Sequence, residues 1–191
     1  LSAFVMTSNS AFSQEVNVAK VVILGDSLTQ GYGLILSDNL VSQLQKRLLD
    51  DAYSVKLLNL GVSGDTTAGG LERFEWSISS GVSGIVIILG GNDLLRGIPP
   101  IHSYKNLKNM ISKAKKLGLP VLLVGIKAST NFGSEFKIEF DQIYSRLNTE
   151  FDLFYYENFF NALHQENVSM FLSFMQNDGI HPNKNGVRKI V

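Results

Sequence analysis

Four short polar segments carry the residue types that acyl transfer needs. Gly25-Asp26-Ser27-Leu28-Thr29-Gln30-Gly31-Tyr32-Gly33 follows an apolar run and sets a serine on a turn among glycines. There a hydroxyl stands free as a nucleophile and a substrate can come close to the backbone. Asn59-Leu60-Gly61-Val62-Ser63-Gly64-Asp65-Thr66-Thr67 has side chains small enough to leave N–H groups unshielded, with Asp65 or Thr66 placed to cap a helix. Gly90-Gly91-Asn92-Asp93 can aim an amide donor into a cleft. Asn177-Asp178-Gly179-Ile180-His181-Pro182-Asn183 puts a carboxylate three residues before an imidazole. On one turn the two can meet, so that the carboxylate fixes the ring's tautomer and stabilises it when protonated. Read singly, each segment has an ordinary explanation: a capping turn, a helix cap, a local Asn turn, a polar loop with a surface His. Read together, they supply a nucleophile, oxyanion donors, and a base with its orienter.

These groups can act together only if the fold brings them to one place. The chain alternates short apolar runs with longer amphipathic stretches, the pattern of β-α units around a parallel sheet. Strands are expected at 20–24, 54–60, 84–89 and 120–126, with a weaker one at 153–156, each buried on both faces. Helices are expected at 38–50, 66–80, 102–117 and 134–150, the third stopped by Gly118 and Pro120. Pro182 is expected to set the first turn of a further helix. In such a sheet ligands gather beyond the carboxyl ends of the strands, and three of the four segments follow a strand directly.

Composition narrows the chemistry. The 17 Lys and Arg balance 17 Asp and Glu, which argues against nucleic acid as a partner. Lys113, Lys115 and Lys116 form the one local basic cluster and read as a solvated helix face. Without Cys there is no thiol catalysis and no Cys-ligated zinc, so a nucleophile has to be sought among hydroxyls. The His spacing fits no zinc motif, no phosphate-cradling Gly-x-x-x-x-Gly-Lys is present, and no Gly-x-Ser-x-Gly elbow occurs. His102 and His164 lack a neighbouring carboxylate in such a turn and read as helix caps or decoration.

Gly25-Asp26-Ser27-Leu28, Gly64, Asn92 within Gly91-Asn92-Asp93, and Asp178-Gly179-Ile180-His181-Pro182 resemble the four sequence blocks of the GDSL/SGNH hydrolase family. The resemblance runs in order from Val21 to about Asn185. Gly61 to Thr67, Leu89 to Asp93, Leu95-Arg96-Gly97 and Asn131-Phe132-Gly133 are most similar to the bacterial thioesterase I/protease I/lysophospholipase group, the arylesterases. What this implies is a flavodoxin-like three-layer α/β/α sandwich with a central, mostly parallel five-stranded sheet. It also implies a serine esterase acting on carboxylic esters or thioesters, lysophospholipids among them, without metal or organic cofactor. Carried onto matching positions, the resemblance makes Ser27 the nucleophile, His181 the base and Asp178 its orienter. The oxyanion donors would be the N–H groups of Ser27 and Gly64 and the amide of Asn92, with Asp26 and Asp65 structural. Loops at 95–100 and 130–134 would wall the acyl site, where Leu94, Leu95, Ile98, Phe132 and Phe136 either suit an acyl chain or pack into the core. A carbohydrate O-acetylesterase with the same triad, and a non-catalytic binding module on a flavodoxin-like fold, are the alternative readings.

Leu1 to Ser13 is uncharged and ends Ser10-Ala11-Phe12-Ser13, like the back half of a secretory signal peptide, which predicts a periplasmic or secreted protein. No apolar run reaches the ~18 residues of a membrane span. The expected organisation is one domain over 14–191, its C-terminal helix truncated, acting as a monomer.

Overall fold

The computed structural model describes residues 18–78, 81–163 and 168–191. The apolar runs form β1 (Ala19–Gly25), β2 (Val55–Gly61), β3 (Gly84–Ile88), β4 (Val121–Val124) and β5 (Phe154–Tyr156). They pair in the order β2-β1-β3-β4-β5, all parallel. Successive strand residues point to opposite faces, so each inner strand feeds two apolar layers. Val22, Leu24, Ile85, Ile87, Val121 and Leu123 join one buried cluster, while Ile23, Ile88 and Val124 join the other.

Helices α1 (Ser27–Gln30), α2 (Leu40–Asp50), α3 (Thr67–Glu72), α4 (Phe74–Ser77), α5 (Gly91–Leu95), α6 (Pro100–Lys116), α7 (Ser134–Phe151), α8 (Val168–Ser173) and α9 (Lys184–Ile190) fill the connections. The first face is covered by α6 through Leu107, Met110, Ile111 and Ala114 and by α7 through Phe140, Ile143, Tyr144 and Leu147. Burying each of the larger of these side chains is worth roughly 1.5–3 kcal/mol. The second face is covered by α2 through Leu40 and Val41 and by α9 through Val187. This is the three-layer α/β/α arrangement expected from the sequence. Among the described residues no helix is long and apolar enough to cross a membrane.

Several elements differ from the sequence expectation. No residue of β2 is fully buried, because β2 is an edge strand and one flank has no neighbour. The expected helix over 66–80 is two short helices interrupted at Arg73, whose side chain turns back toward the sheet; residues 79 and 80 lie outside the described residues. Helix α6 starts at Pro100 rather than 102, since proline at the first helical position is pre-set for the helix and has no N–H to waste. Pro182 does not open α9. Asn183 caps it, its side-chain oxygen accepting from the N–H groups of Asn185 and Gly186.

The topology also fixes where a site can form. From β1 the chain crosses one way to β2 and later the other way to β3, so the carboxyl ends of β1 and β3 border a crevice that no crossover fills. Ser27 and Asn92 lie just beyond those two ends.

Candidate active site

Ser27 is the first residue of α1, two positions beyond β1's last paired residue. Asp26 caps the turn, its Oδ1 accepting from the N–H of Leu28 at 3.0 Å. At a helix start the N–H of Ser27 has no intrahelical acceptor, which leaves it free for a ligand.

An imidazole arrives from the far end of the chain. His181 Nε2 lies 2.8 Å from Ser27 Oγ, and its Nδ1 lies 2.7 Å from Asp178 Oδ2. Asp178 uses its other oxygen, Oδ1, to accept from the N–H groups of Ile180 at 2.9 Å and His181 at 3.0 Å. Burial pushes the Asp178 carboxyl up, but the N–H and ring of His181 and the N–H of Ile180 outweigh it and bring it down to about 2. A carboxylate of that kind has no proton to give, so Nδ1 carries the hydrogen and Nε2 is left to accept from the serine hydroxyl.

The loop bearing this pair is tied down by amides. Asn183 Nδ2 donates to the backbone oxygens of Ser173 at 2.8 Å and Met175 at 3.0 Å. Gln176 Nε2 donates to those of Tyr32 at 2.8 Å and Pro182 at 3.0 Å, binding the loop that carries His181 to the segment after α1. The ring of Tyr32 rests against that of His181 with centroids 4.7 Å apart.

Opposite stand Gly64 and Asn92. Gly64 has φ +82°, a left-handed conformation that side-chain-bearing residues resist, and it lines the cleft. Its carbonyl accepts from Arg96 Nη2 at 2.8 Å. Asn92 sits in the first turn of α5 behind Gly90, where a side chain would collide with the Tyr144 hydroxyl, itself donating to the Leu89 oxygen at 2.9 Å. Asn92 Nδ2 donates to the backbone oxygen of Asp65 at 2.9 Å. The contact of the same nitrogen with Asp26 Oδ2 is 3.4 Å, a long hydrogen bond that holds the second hydrogen only weakly. Asp26 is 1% exposed, and burial pushes its carboxyl up to about 6 against the opposing pull of the Leu28 N–H and the neighbouring His181.

Beneath Asn92, Asp93 is buried and accepts from the Thr67 N–H at 2.8 Å, the Thr67 hydroxyl at 2.6 Å and the Ser103 hydroxyl at 2.9 Å. It anchors α5 to α3 and α6.

The cleft above these groups holds about 320 Å³. Leu28, Leu94, Leu95, Ile126, Phe160, Phe171, Met175 and Ile180 make its lining largely apolar. Ile98 and Phe132, expected in that lining, are not part of it. Phe132 instead lies tilted against Phe136 at 5.2 Å and crowds Gly97, and Phe136 stacks on Phe140 in the core. Asp65 faces away from the cleft toward Arg73. His102 is exposed on α6, whereas His164 and Leu1 to Ser13 lie outside the described residues. Of the lysine cluster, Lys113 pairs with Glu75 and Lys115 and Lys116 are exposed, as a solvated face should be.

Sequence reasoning overlooked Tyr32, Arg73, Asp93, Gln176 and Asn183. For Asp93 and Asn183 a signal existed, since each adjoins a residue already singled out. Arg73 and Gln176 find their partners across long stretches of chain, which local spacing cannot show.

Residues 23–189 match the GDSL-like Lipase/Acylhydrolase family. Esterase TesA of Pseudomonas aeruginosa is 36% identical over 171 residues, 89% of this chain and 83% of that protein. Thioesterase 1/protease 1/lysophospholipase L1 of Escherichia coli is 34% identical over 167 residues, 86% of this chain and 76% of that protein. Among solved structures, the SGNH-hydrolase family esterase AlinE4 superimposes with a TM-score of 0.78 at 33% identity, covering 91% of this chain and 90% of that one.

Proposed function

The chain belongs to the GDSL-like lipase/acylhydrolase family and is a carboxylic ester hydrolase; from that premise we propose that Ser27 is its nucleophile. His181 serves as general base and then acid, and Asp178 orients it. The N–H groups of Ser27 and Gly64 and the amide of Asn92 form the oxyanion hole. The observation that carries this reading is the unbroken chain from Asp178 through His181 to Ser27, with links of 2.7 and 2.8 Å, at the floor of an apolar cleft.

The chemistry follows from the arrangement. His181 Nε2 takes the hydroxyl proton as Ser27 Oγ attacks the acyl carbon, and the carbonyl electron pair moves onto the oxygen held by the three donors. The tetrahedral species collapses, and the imidazolium passes its proton to the departing alcohol or thiol. Water then attacks the acyl-serine by the same route, giving the carboxylic acid and the free hydroxyl. Asp178 stays ionised throughout, stabilising the imidazolium without taking its proton.

The substrate class is an acyl ester or thioester with an apolar acyl group, because the lining beside Ser27 is built from Leu, Ile, Phe and Met side chains. The names of the relatives, an esterase and a thioesterase/lysophospholipase, fit that class. Every group in the scheme comes from one chain, which suits action as a monomer. The uncharged Leu1 to Ser13 stretch supports export as the cellular context.

A fluorophosphonate probe followed by a p-nitrophenyl ester series from acetate to palmitate tests the reading. Labelling should fall on Ser27, and kcat/KM should rise with chain length beyond acetate. Hydrolysis confined to acetate would favour the carbohydrate O-acetylesterase. Absence of labelling would favour a binding module.

A further inference from the structure

Arg73 stands at the break between α3 and α4, its side chain 23% exposed and turned toward the sheet. Nε donates to Asp65 Oδ2 at 2.6 Å and Nη2 to the backbone oxygen of Gly25 at 2.9 Å. Those two acceptors adjoin the site on different segments. Gly25 precedes Asp26 and Ser27, while Asp65 follows Gly64 and holds the Asn92 amide on its backbone oxygen at 2.9 Å. One guanidinium therefore spans the two turns from which the Ser27 and Gly64 N–H groups project, and through Asp65 it reaches the third donor.

The strands do not need this clamp to pair. The β1–β2 ladder already runs from Ala19 and Val55 to Gly25 and Gly61, and the N–H of Val62 continues it by donating to the Gly25 oxygen at 3.0 Å. Beyond Val62 the ladder stops, and the turn at 63–66 has to be held by other means. An oxyanion hole works only when its donors are fixed before charge develops, and displacement on the order of 1 Å is costly in rate. A planar fork with fixed N–H directions suits that task better than a flexible ammonium.

We infer that Arg73 is a positioning residue for the oxyanion hole, acting through Asp65 on Asn92 and Gly64 without touching substrate. The inference rests on the site assignment proposed above.

The test is a double-mutant cycle on hydrolysis of p-nitrophenyl butyrate, using Arg73→Met, Asn92→Ala and the double variant, with Arg73→Lys as a conservative control. Arg73→Met should lower kcat by roughly 10- to 100-fold, up to the cost of a 1 Å misplacement and below the roughly 10²- to 10³-fold cost of removing a donor outright, while KM stays within about twofold. Arg73→Lys should recover part of that loss. In the Asn92→Ala background the same Arg73→Met change should cost only about threefold or less, because the donor it positions is gone. Full additivity, or a loss carried by KM, overturns the inference. If Arg73→Met does not fold, Arg73→Lys carries the cycle; failure of both to fold also overturns it, since Arg73 would then hold the fold rather than the donors. Turnover by Ser27→Ala would remove the underlying assignment, whereas additivity with an inactive Ser27→Ala removes only the role of Arg73.

Discussion

On the base side of the cleft, Asp178 lies on a loop with its side chain 35% exposed, and on the donor side Asp26 and Asp93 are each 1% exposed. The first carboxyl is surrounded by donors from its own turn and is held down to about 2, while Asp26 is starved of water and pushed up to about 6. Local hydrogen bonding secures a charge where the reaction needs an anion beside an imidazolium. Burial secures rigidity where the reaction needs donors that do not move. Changes at Ser27 and His181 should therefore lose chemistry and keep the fold, and changes to the buried carboxyls Asp26 and Asp93 beneath the donors should show their damage largely as stability.

The largest expected effect is at the contact between the two sides, where His181 meets Ser27. Ser27→Ala and His181→Ala should each lower kcat on the order of 10⁴- to 10⁶-fold, with thermal melting close to that of the parent. Turnover like the parent's in either variant would break the comparison at its root. A smaller effect is expected under the donors. Asp93→Ala leaves the Thr67 N–H and the Thr67 and Ser103 hydroxyls without their acceptor, which should cost about 3–5 kcal/mol in urea unfolding. A loss below about 1 kcal/mol would mean that α5 is not held from beneath.

The smallest effect has the opposite sign. Asp26 is neutral below about pH 3.8 in both folded and unfolded chains. Between 3.8 and about 6 the unfolded chain ionises first, so stability falls as pH rises, and above 6 the buried charge costs about 3 kcal/mol. Asp26→Asn keeps an oxygen for the Leu28 N–H but no charge, and it should raise the unfolding free energy at pH 8 by about 1–3 kcal/mol. It should also flatten the slope between pH 4 and 6; an unchanged slope would show that Asp26 is not what sets it. Asp178 behaves in reverse: its contribution is present above 3.8 and is lost as pH falls toward about 2.

Much of this architecture could be read from the chain because the inner strands are short apolar runs and the polar segments directly follow β1, β2 and β3. Gly25 to Ser27 and Asn92 stand out because glycine and polar residues follow directly on apolar runs, whereas Gly64 stands out only through the resemblance to the family's blocks. What escaped notice depends on tertiary neighbours. The helix break at Arg73 coincides with a guanidinium reaching an oxygen 48 residues away, a contact that the periodicity of 66–80 does not register. The half-exposed β2 reflects its place at the sheet edge, which strand patterning does not encode. Ile98 and Phe132 are apolar residues beside the site, and composition alone could not say whether they face the cleft or pack against Gly97 and Phe136.

The Ser27 hydroxyl and the His181 ring meet across 154 residues of chain. Ser27 is therefore made early in synthesis and His181 late, after β3, β4 and β5. A growing chain carries a serine of ordinary reactivity until the segment around His181 docks. Ester hydrolysis thus requires the segment around His181 in place, and because Phe171, Met175 and Ile180 of the same segment line the cleft, acyl-group cleavage and acyl-group selection depend on one docking.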